Sequence, residues 1–371
     1  MVICGAGVIG LTAARELARR GAAVTVIDRV GVAPAASGRA GGFLALDWND
    51  TTALGPLARR SFALHRELAE ILDADYGYRT VETIMTVGSE SDLPRREPGP
   101  EPSEWLDGGV MIRGAIGTHD TTAQVDPRRF CEAVWTDAAA HGAELRTGRV
   151  EGIDPTDPGH GALGVLVDGE HLSADAVLVA MGPWTDLLGL AHPPVSGLKG
   201  SSIVLAADAP PQVVFSDVVL RDGRYAPEIY PRPDGSVYVC GVPSSDPLPD
   251  APEDVTVDDD DCDTLRRMAA VHSRRLDEAE VVTKQACFRP VTADGLPVIG
   301  PVPGRKGTYV ATGHGPWGIL NAPATAEMLA EMILDGGART IDPTPYRPDR
   351  GSPAMARRNG RAAASSGGLT A

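Results

Sequence analysis

Lysine is scarce in this 371-residue chain, and acidic residues outnumber basic ones. Three of the 34 basic residues are lysine, and 50 aspartates and glutamates give a formal net charge of -16 at pH 7. A surface of this sign repels phosphate backbones, so we expect no nucleic-acid partner. No apolar run reaches the roughly 18 residues that suggest a membrane helix, so we expect no membrane span.

Cysteine and histidine are also few, and neither shows a metal-binding or redox spacing. The five cysteines, at positions 4, 131, 240, 262 and 287, include no CxxC pair, and the eight histidines include no HExxH motif. These absences argue against a disulfide framework and against a metal site. The chain opens on an apolar segment with no basic stretch before it, so we expect no secretory signal and a cytoplasmic location.

Hydrophobic periodicity predicts an alternation of strands and helices. Strands are predicted at 2–4, 24–27, 176–180, 203–205, 213–220, 237–240 and 308–311, and helices from Ile9 to a stop at Gly21, and over 127–141, 259–278 and 322–335. Asn321 is the expected N-cap of the last helix, with Pro323 in its first turn. Two segments are expected outside the packed structure: a solvated acidic loop, Glu90–Glu104, and a disordered tail, 346–371.

A glycine-rich loop joins the first strand to the first helix. Gly5, Gly7 and Gly10 form a G-x-G-x-x-G pattern, and Asp28 follows at the end of the second strand. Gly5 permits the tight turn, Gly7 lets a pyrophosphate approach the backbone, and Gly10 lets helix and strand pack closely. Asp28 is placed to accept hydrogen bonds from ribose hydroxyls, and its charge disfavours NADP. The loop therefore predicts a dinucleotide site at the helix N-terminus.

Further blocks follow this loop in order. They are Ala35–Gly42, Val125-Asp126-Pro127, Ala180-Met181-Gly182-Pro183-Trp184, Arg289–Gly300 and Thr312–Leu320. With these blocks the chain, over residues 1–345, resembles the D-amino-acid oxidase superfamily of FAD enzymes, and glycine and sarcosine oxidases most of all. An NAD dehydrogenase is disfavoured, because the later blocks have no role in one. Stretches 37–48 and 313–323 are most similar to a subgroup without a settled substrate.

The resemblance implies an α/β fold, with a Rossmann-like FAD-binding domain and a second, mixed-sheet substrate domain. The implied FAD-binding domain comprises 1–80, 123–198 and 285–345, and the implied substrate domain comprises 81–122 and 199–284. The implied cofactor is FAD. The residues implied to bind it are Gly5, Gly7, Val8, Ile9, Gly10, Asp28, Arg29, Ser37, Gly41, Gly42, Val150, Gly182, Cys287, Gly313, Gly315, Gly318 and Ile319.

The implied activity is oxidation of a small amine or amino acid that bears a carboxylate. In this family a hydride passes from the carbon beside nitrogen to flavin N5, and O2 is a common electron acceptor. The expected partners are thus a small-molecule amine and O2 or another acceptor. Two alternatives stay open: an FAD dehydrogenase that uses a different acceptor, and a flavin-binding assembly or trafficking factor without turnover.

Four residues are candidates for the catalytic site. Arg289 matches the family arginine that binds the substrate carboxylate, although an arginine pairing a surface acid is the alternative. His314 and Trp317 are expected beside the flavin, with a packed core aromatic as the alternative for Trp317. Glu228 stands where some relatives have a substrate-binding tyrosine. A carboxylate there favours a cationic or polyamine-like substrate, and a glutamate at the rim of a strand is the alternative.

Two neighbouring residues leave questions open. Tyr230 could replace the family tyrosine in space, but strand alternation also allows it to point outward. Cys287 stands where sarcosine oxidases attach FAD through a thioether. Glycine oxidases hold FAD without such a bond, and free cysteines are often buried hydrophobes. Non-covalent binding is therefore the favoured interpretation, and covalent attachment through Cys287 is the alternative.

Overall fold

The secondary structure alternates between strands and helices, as the periodicity predicts. The computed structural model describes residues 1–91, 105–154 and 163–351. Its helices are α1 (Val8–Arg19), α2 (Gly55–Ile71), α3 (Pro127–Ala140), α4 (Asp259–His272), α5 (Arg274–Glu278) and α6 (Gly318–Leu334). Its strands are β1 (Val2–Cys4), β2 (Thr25–Asp28), β3 (Phe43–Ala45), β4 (Arg79–Thr80), β5 (Glu82–Ser89), β6 (Val110–Gly117), β7 (Thr122–Gln124), β8 (Glu144–Thr147), β9 (Val150–Asp154), β10 (Gly164–Val167), β11 (Glu170–Ser173), β12 (Val177–Val179), β13 (Val195–Ala206), β14 (Gln212–Leu220), β15 (Gly223–Tyr225), β16 (Glu228–Pro231), β17 (Ser236–Ser244), β18 (Val281–Thr292), β19 (Val298–Pro301) and β20 (Thr308–Thr312).

The first sheet is largely parallel and has the order β19-β20-β12-β1-β2-β8. Strand β1 lies inside it, parallel to both β2 and β12. Ile3 and Leu178 pack against the helices on one face, whereas Val2, Cys4 and Ile27 pack against β9 and β10 on the other. Since both faces are covered, the strands β1 and β12 inside the sheet are entirely apolar. The carboxyl ends of the parallel strands all point toward the same edge.

The second sheet has the order β18-β13-β17-β16-β14-β5-β6, with β15 beside β14. It is mixed, because β14 and β5 run parallel while its other pairs are antiparallel. Helix α4 covers one face of it. Strands β13 and β18 extend beyond the expected domain boundaries at 198/199 and 284/285. The domain division itself stays a prediction.

Helix α6 begins earlier than predicted. Its first residue is Gly318, so Asn321 and Pro323 lie inside the helix, and their predicted roles as N-cap and first-turn proline are wrong. Proline lacks the N–H that would bond to the carbonyl four residues before it. That carbonyl, of Ile319, is instead 2.9 Å from Nε2 of His65 in α2.

Helix α2 also contacts the backbone of Ala324, the residue after Pro323. The Ala324 N–H donates to the Ser61 hydroxyl at 2.9 Å. Both Ser61 and His65 are fully buried. The sequence around Pro323 alone could not predict this repair, because its donor and acceptor come from a helix more than 250 positions away.

The helix predicted over 259–278 is also interrupted. Ser273 has an extended backbone, with φ -157°, and it separates α4 from α5. The loop before β6 occupies the break: Gly108 N–H donates to the His272 carbonyl at 3.1 Å, and Arg274 N–H donates to Asp107 at 2.9 Å. Tertiary contacts therefore override the helical periodicity at this point.

The C-terminal segment packs further than predicted. Tyr346 is buried, and its hydroxyl donates to the Ala53 carbonyl at 2.6 Å. Arg350 binds both carboxylate oxygens of Asp294, at 2.8 and 3.1 Å. The prediction of disorder is thus wrong for residues 346–351, whereas 352–371 lie outside the described residues, as does most of the loop Glu90–Glu104. Over the described part of the chain, no helix has the length and apolar character to cross a membrane.

Candidate active site

A cavity of about 570 Å³ connects the carboxyl ends of β1, β2 and β12 to the second sheet. Gly5, Asp28 and Ala180 line it from the first sheet, and Glu228 and Arg289 line it from the second. Its volume lies within the range of roughly 300–1,000 Å³ that small-molecule sites occupy. The two sheets thus enclose one elongated site.

The glycine-rich loop forms one end of this cavity and has no room for side chains. Gly5 has φ +105°, and a Cβ there would lie 2.5 Å from the Ala180 carbonyl oxygen. A Cβ on Gly10 would lie 2.0 Å from the Gly5 carbonyl oxygen. Gly7 is the N-cap of α1, and the Ser37 hydroxyl accepts from the Val8 N–H at 2.9 Å, so the positive end of the helix dipole lies beside the cavity. This backbone fits the pyrophosphate of a dinucleotide.

The carboxylate of Asp28 is held rigidly beside the loop. Its Oδ2 accepts from the Ala6 N–H at 2.8 Å, and its Oδ1 accepts from the N–H groups of Val30 and Gly31 at 2.9 and 3.1 Å. Each carboxylate oxygen can accept about two hydrogen bonds, so Oδ2 retains capacity for a ribose hydroxyl. Arg29, also predicted to bind the cofactor, lines the cavity and forms an ion pair with Glu253 at 2.7 Å.

The predicted cofactor residues come together in this cavity, with two exceptions. All of them except Gly10 and Gly313 line it. Gly10 packs behind the loop, as its expected role in helix–strand packing requires. Gly313 has φ +74°, and a Cβ there would lie 2.8 Å from the Thr292 side chain, so it serves the turn rather than the cavity wall.

Arg289 lies at the other end of the cavity and is half-buried. Its guanidinium makes no hydrogen bond and no ion pair with any residue that the structure describes. Burial alone would lower its pKa, but the neighbouring Cys240, Tyr238 and Glu228 outweigh that effect and raise it. Arg289 therefore presents a positive charge to the cavity without an anionic partner in contact with it.

Glu228, the first residue of β16, lines the same end of the cavity and is half-buried, so its role in substrate binding stays a prediction. Its Oε2 accepts a short hydrogen bond from the Tyr230 hydroxyl and a longer one, at 3.6 Å, from the Cys240 thiol. Tyr230 also faces inward and is buried. Burial and the Glu228 charge raise the pKa of Tyr230 well above its usual value, so the phenol keeps its proton and donates it.

Six aromatic side chains surround this end of the cavity, although the whole chain has only 17 (5 Trp, 7 Tyr and 5 Phe). We call them the aromatic cluster: Phe43, Trp48, Phe215, Tyr230, Tyr238 and Trp317. Trp48 contacts two other members of the cluster: its ring centroid lies 4.9 Å from that of Phe215 and 6.2 Å from that of Trp317. Apart from Trp317, and Tyr230 as an open question, sequence reasoning missed these residues, because they come from distant segments that share no local motif.

His314 lines the cavity between the two ends but is buried. Its Nε2 lies 3.1 Å from the Thr325 hydroxyl, and Nδ1 has no hydrogen-bond partner among the described residues. Burial lowers the pKa of His314 to about 3, so the ring is neutral at physiological pH. Among the residues described, no group of three or more His, Cys, Asp or Glu side chains could hold a metal ion.

Comparison with known proteins decides which dinucleotide this cavity serves. Residues 1–332 match the model of the FAD dependent oxidoreductase family. The chain belongs to this family. It is therefore an FAD-dependent oxidoreductase, and the glycine loop, the N-terminus of α1 and Asp28 fit FAD. The sequence-based prediction of the family is confirmed.

The relatives include enzymes with assigned substrates and proteins without them. The chain is 31% identical to a glycine oxidase of Pseudomonas aeruginosa over 376 residues, which cover 94% of this chain and 98% of that protein. It is 32% identical, over 373 residues, to a Schizosaccharomyces pombe protein whose name gives only the oxidoreductase class, with 92% of this chain and 96% of that protein covered.

The crystal structure of glycine oxidase from Geobacillus kaustophilus superposes with a TM-score of 0.75 at 25% identity, covering 94% of this chain and 98% of that one. The Rossmann-like α/β fold is thereby confirmed.

Proposed function

We propose that this protein oxidises a small amine that bears a carboxylate, and that Arg289 binds the carboxylate. The observation that carries the proposal is the half-buried Arg289 guanidinium, which lines the cavity without an ion pair among the described residues. A partly buried cation that forms no ion pair is stabilised when a ligand supplies an anion. A carboxylate matches the planar donor pattern of a guanidinium. The glycine oxidase relatives support an amino acid as the substrate class.

When bound, FAD supplies the acceptor for the hydride that leaves the substrate as its CH–NH bond becomes C=N. The chain's own contribution is binding and orientation. Arg289 fixes one end of the substrate through its carboxylate. Because His314 is neutral, Arg289 rather than His314 supplies the positive charge that binds the substrate carboxylate. The resulting imine is then hydrolysed by water.

Anaerobic flavin reduction tests the proposal directly. The holoenzyme is mixed with matched pairs of amines that differ in the carboxylate, such as sarcosine against dimethylamine and alanine against ethylamine. We expect the carboxylated member of a pair to bleach the flavin absorbance faster. Arg289→Ala should reduce kcat/KM for carboxylated amines by about thirtyfold or more, since a charged hydrogen-bonded pair contributes on the order of 2 kcal/mol or more.

Arg113→Ala is the matched control, because Arg113 is exposed on β6 and does not line the cavity. It should leave both members of each pair unchanged. Equal losses on amines with and without a carboxylate in Arg289→Ala would contradict the role of Arg289. No bleaching by any carboxylated amine would contradict the proposed activity and favour a role without turnover.

The electron acceptor is part of the same proposal. We infer O2, with peroxide as the product, and the alternative is a dehydrogenase that passes electrons to another carrier. Mixing the reduced enzyme with air-saturated buffer separates them. Rapid return of the flavin absorbance with stoichiometric peroxide supports an oxidase, whereas slow return that a dye acceptor accelerates supports a dehydrogenase.

We also propose that FAD is held without a covalent bond. Cys287 lines the cavity, but burial raises the pKa of its thiol, against the opposing effect of Arg289 and Arg39. The thiolate is the reactive form of cysteine, and burial disfavours it. Flavin released into the supernatant by acid denaturation is the expected result. Flavin that remains with the precipitated protein would show a thioether.

We also propose a cytoplasmic location. All five cysteines are free, which agrees with a reducing compartment.

A further inference from the structure

The proposed function does not use the negative charge of Glu228. Four acidic residues line the cavity: Asp28, Glu151, Glu228 and Asp250. Asp28 accepts a hydrogen bond from the glycine loop. Glu151, on β9, accepts from the Gly169 N–H at 3.0 Å. Asp250 lies three residues before Glu253, which forms the ion pair with Arg29. Among the described residues, Glu228 is therefore the acid at the Arg289 end.

One oxygen of Glu228 is held and the other is open. Oε2 accepts from the Tyr230 hydroxyl and the Cys240 thiol, which are both neutral donors, while Oε1 has no hydrogen-bond partner among the described residues. No cationic side chain of the described residues forms an ion pair with it. Glu228 thus presents a fixed negative charge that a cationic ligand can satisfy.

The aromatic cluster makes this position still more suitable for a cation. Phe215 and Tyr230 lie with their ring centroids 6.1 Å apart, and Trp48 adds a third ring 4.9 Å from Phe215. The faces of such rings attract ammonium and guanidinium groups. A carboxylate within a group of aromatic rings is an arrangement that binds organic cations rather than metal ions or neutral chains.

The cation that binds there is not the nitrogen that reacts. Hydride loss requires the neutral amine, and a fixed carboxylate beside an ammonium raises the pKa of that ammonium and retains its proton. Glu228 would therefore oppose the reaction if it contacted the reacting nitrogen. It does not oppose it if it binds a second nitrogen further along the substrate.

We propose that Glu228 and the aromatic cluster form a subsite for a second, non-reacting cationic nitrogen. The preferred substrate is then an amine with a carboxylate at one end and an ammonium or guanidinium group at the other, as in the basic amino acids. The inference rests on the proposed function for the role of Arg289 as the carboxylate site. Beyond that function, the inference specifies a second cationic group on the substrate.

Ligand binding to the holoenzyme tests the subsite without turnover. The probes are ω-amino carboxylates of four to six carbons, each paired with a fatty acid of the same number of heavy atoms, such as 6-aminohexanoate with heptanoate. Dissociation constants come from the perturbation of flavin absorbance under anaerobic conditions. At the best chain length we expect the amino acid to bind about tenfold more tightly than its apolar partner, which corresponds to about 1.4 kcal/mol.

Glu228→Gln should abolish this difference, because it keeps the shape of the side chain and removes its charge. Glu278→Gln removes the same charge from an exposed position outside the cavity and should preserve the difference. Equal binding of the two probes at every chain length in the unmodified enzyme would overturn the subsite. So would a preference that survives in Glu228→Gln.

A turnover comparison separates this inference from the proposed function. Lysine is compared with 2-aminoheptanoate, in both enantiomers, since the two side chains match in length. Faster flavin reduction by lysine that depends on Glu228 supports both proposals. Reduction by 2-aminoheptanoate at least as fast as by lysine supports the oxidation and overturns the subsite. Glu228-dependent binding of ω-amino carboxylates with no turnover of any amine supports the subsite and overturns the oxidation.

Discussion

Three histidines are buried and neutral, and this makes the fold sensitive to mild acid. Burial lowers the pKa from 6.5 to about 4 for His65 and His272, and to about 3 for His314. In the unfolded chain each imidazole takes up a proton near its ordinary pKa, whereas in the folded protein it does not. The stability that each contributes is therefore complete above pH 6.5 and is lost as the pH falls toward 4.

The size of the effect follows from proton linkage. A pH of 5 lies about 1.5 units below the ordinary pKa of histidine, and one unit corresponds to about 1.4 kcal/mol. Each buried histidine therefore lowers the free energy of unfolding by about 2 kcal/mol between pH 7 and pH 5. Most carboxylates stay ionised in this interval. The three buried histidines therefore contribute to the pH dependence there.

His65→Gln tests this reasoning, because a glutamine amide can still donate to the Ile319 carbonyl but does not titrate. The free energy of unfolding is measured from urea titrations at pH 7 and pH 5, with FAD at a fixed excess. We expect the variant to lose about 2 kcal/mol less than the unmodified protein over this interval. Exposed His119 provides the control: His119→Gln should keep the original pH dependence. An unchanged pH dependence in His65→Gln would refute the assignment.

Three further substitutions test contacts of the site. Gly10→Ala should prevent FAD retention, measured as flavin per purified chain, because its Cβ would lie 2.0 Å from a loop carbonyl oxygen. Ser61→Ala should lower the free energy of unfolding by about 1 kcal/mol or more, since it removes the hydroxyl that accepts from the buried Ala324 N–H; an unchanged urea midpoint would contradict the repair of α6. Arg29→Ala should accelerate exchange of bound FAD, followed by fluorescence, because it removes the ion pair with Glu253 beside the cavity.

Local features of the fold could be predicted from sequence because short segments determine them. The glycine loop and Asp28 lie within 28 positions, and Asp126 caps α3 with its own side chain, which accepts from the Arg129 N–H at 2.9 Å. In each case the residues that create the structure are the residues that adopt it. The same holds for the buried strands of the first sheet, whose apolar runs require no knowledge of their partners.

Features that depend on distant segments could not be predicted. The start of α6 depends on α2, and the break at Ser273 depends on the loop that contains Asp107 and Gly108. The aromatic cluster combines residues between Phe43 and Trp317 that become neighbours only when the two sheets meet. Glu228 could be singled out by comparison with a family pattern, but its hydrogen bonds to Tyr230 and Cys240 could not.

The contact between α1 and α6 has a consequence for the order in which the protein assembles. The Thr12 hydroxyl lies 3.3 Å from the Ala322 carbonyl oxygen, although 310 positions separate the two residues. During synthesis the glycine loop therefore emerges from the ribosome long before the helix that supports it. Contacts this far apart along the chain form slowly. FAD consequently encounters a complete binding site only after α6 has been made, so cofactor capture follows the synthesis of both sheets.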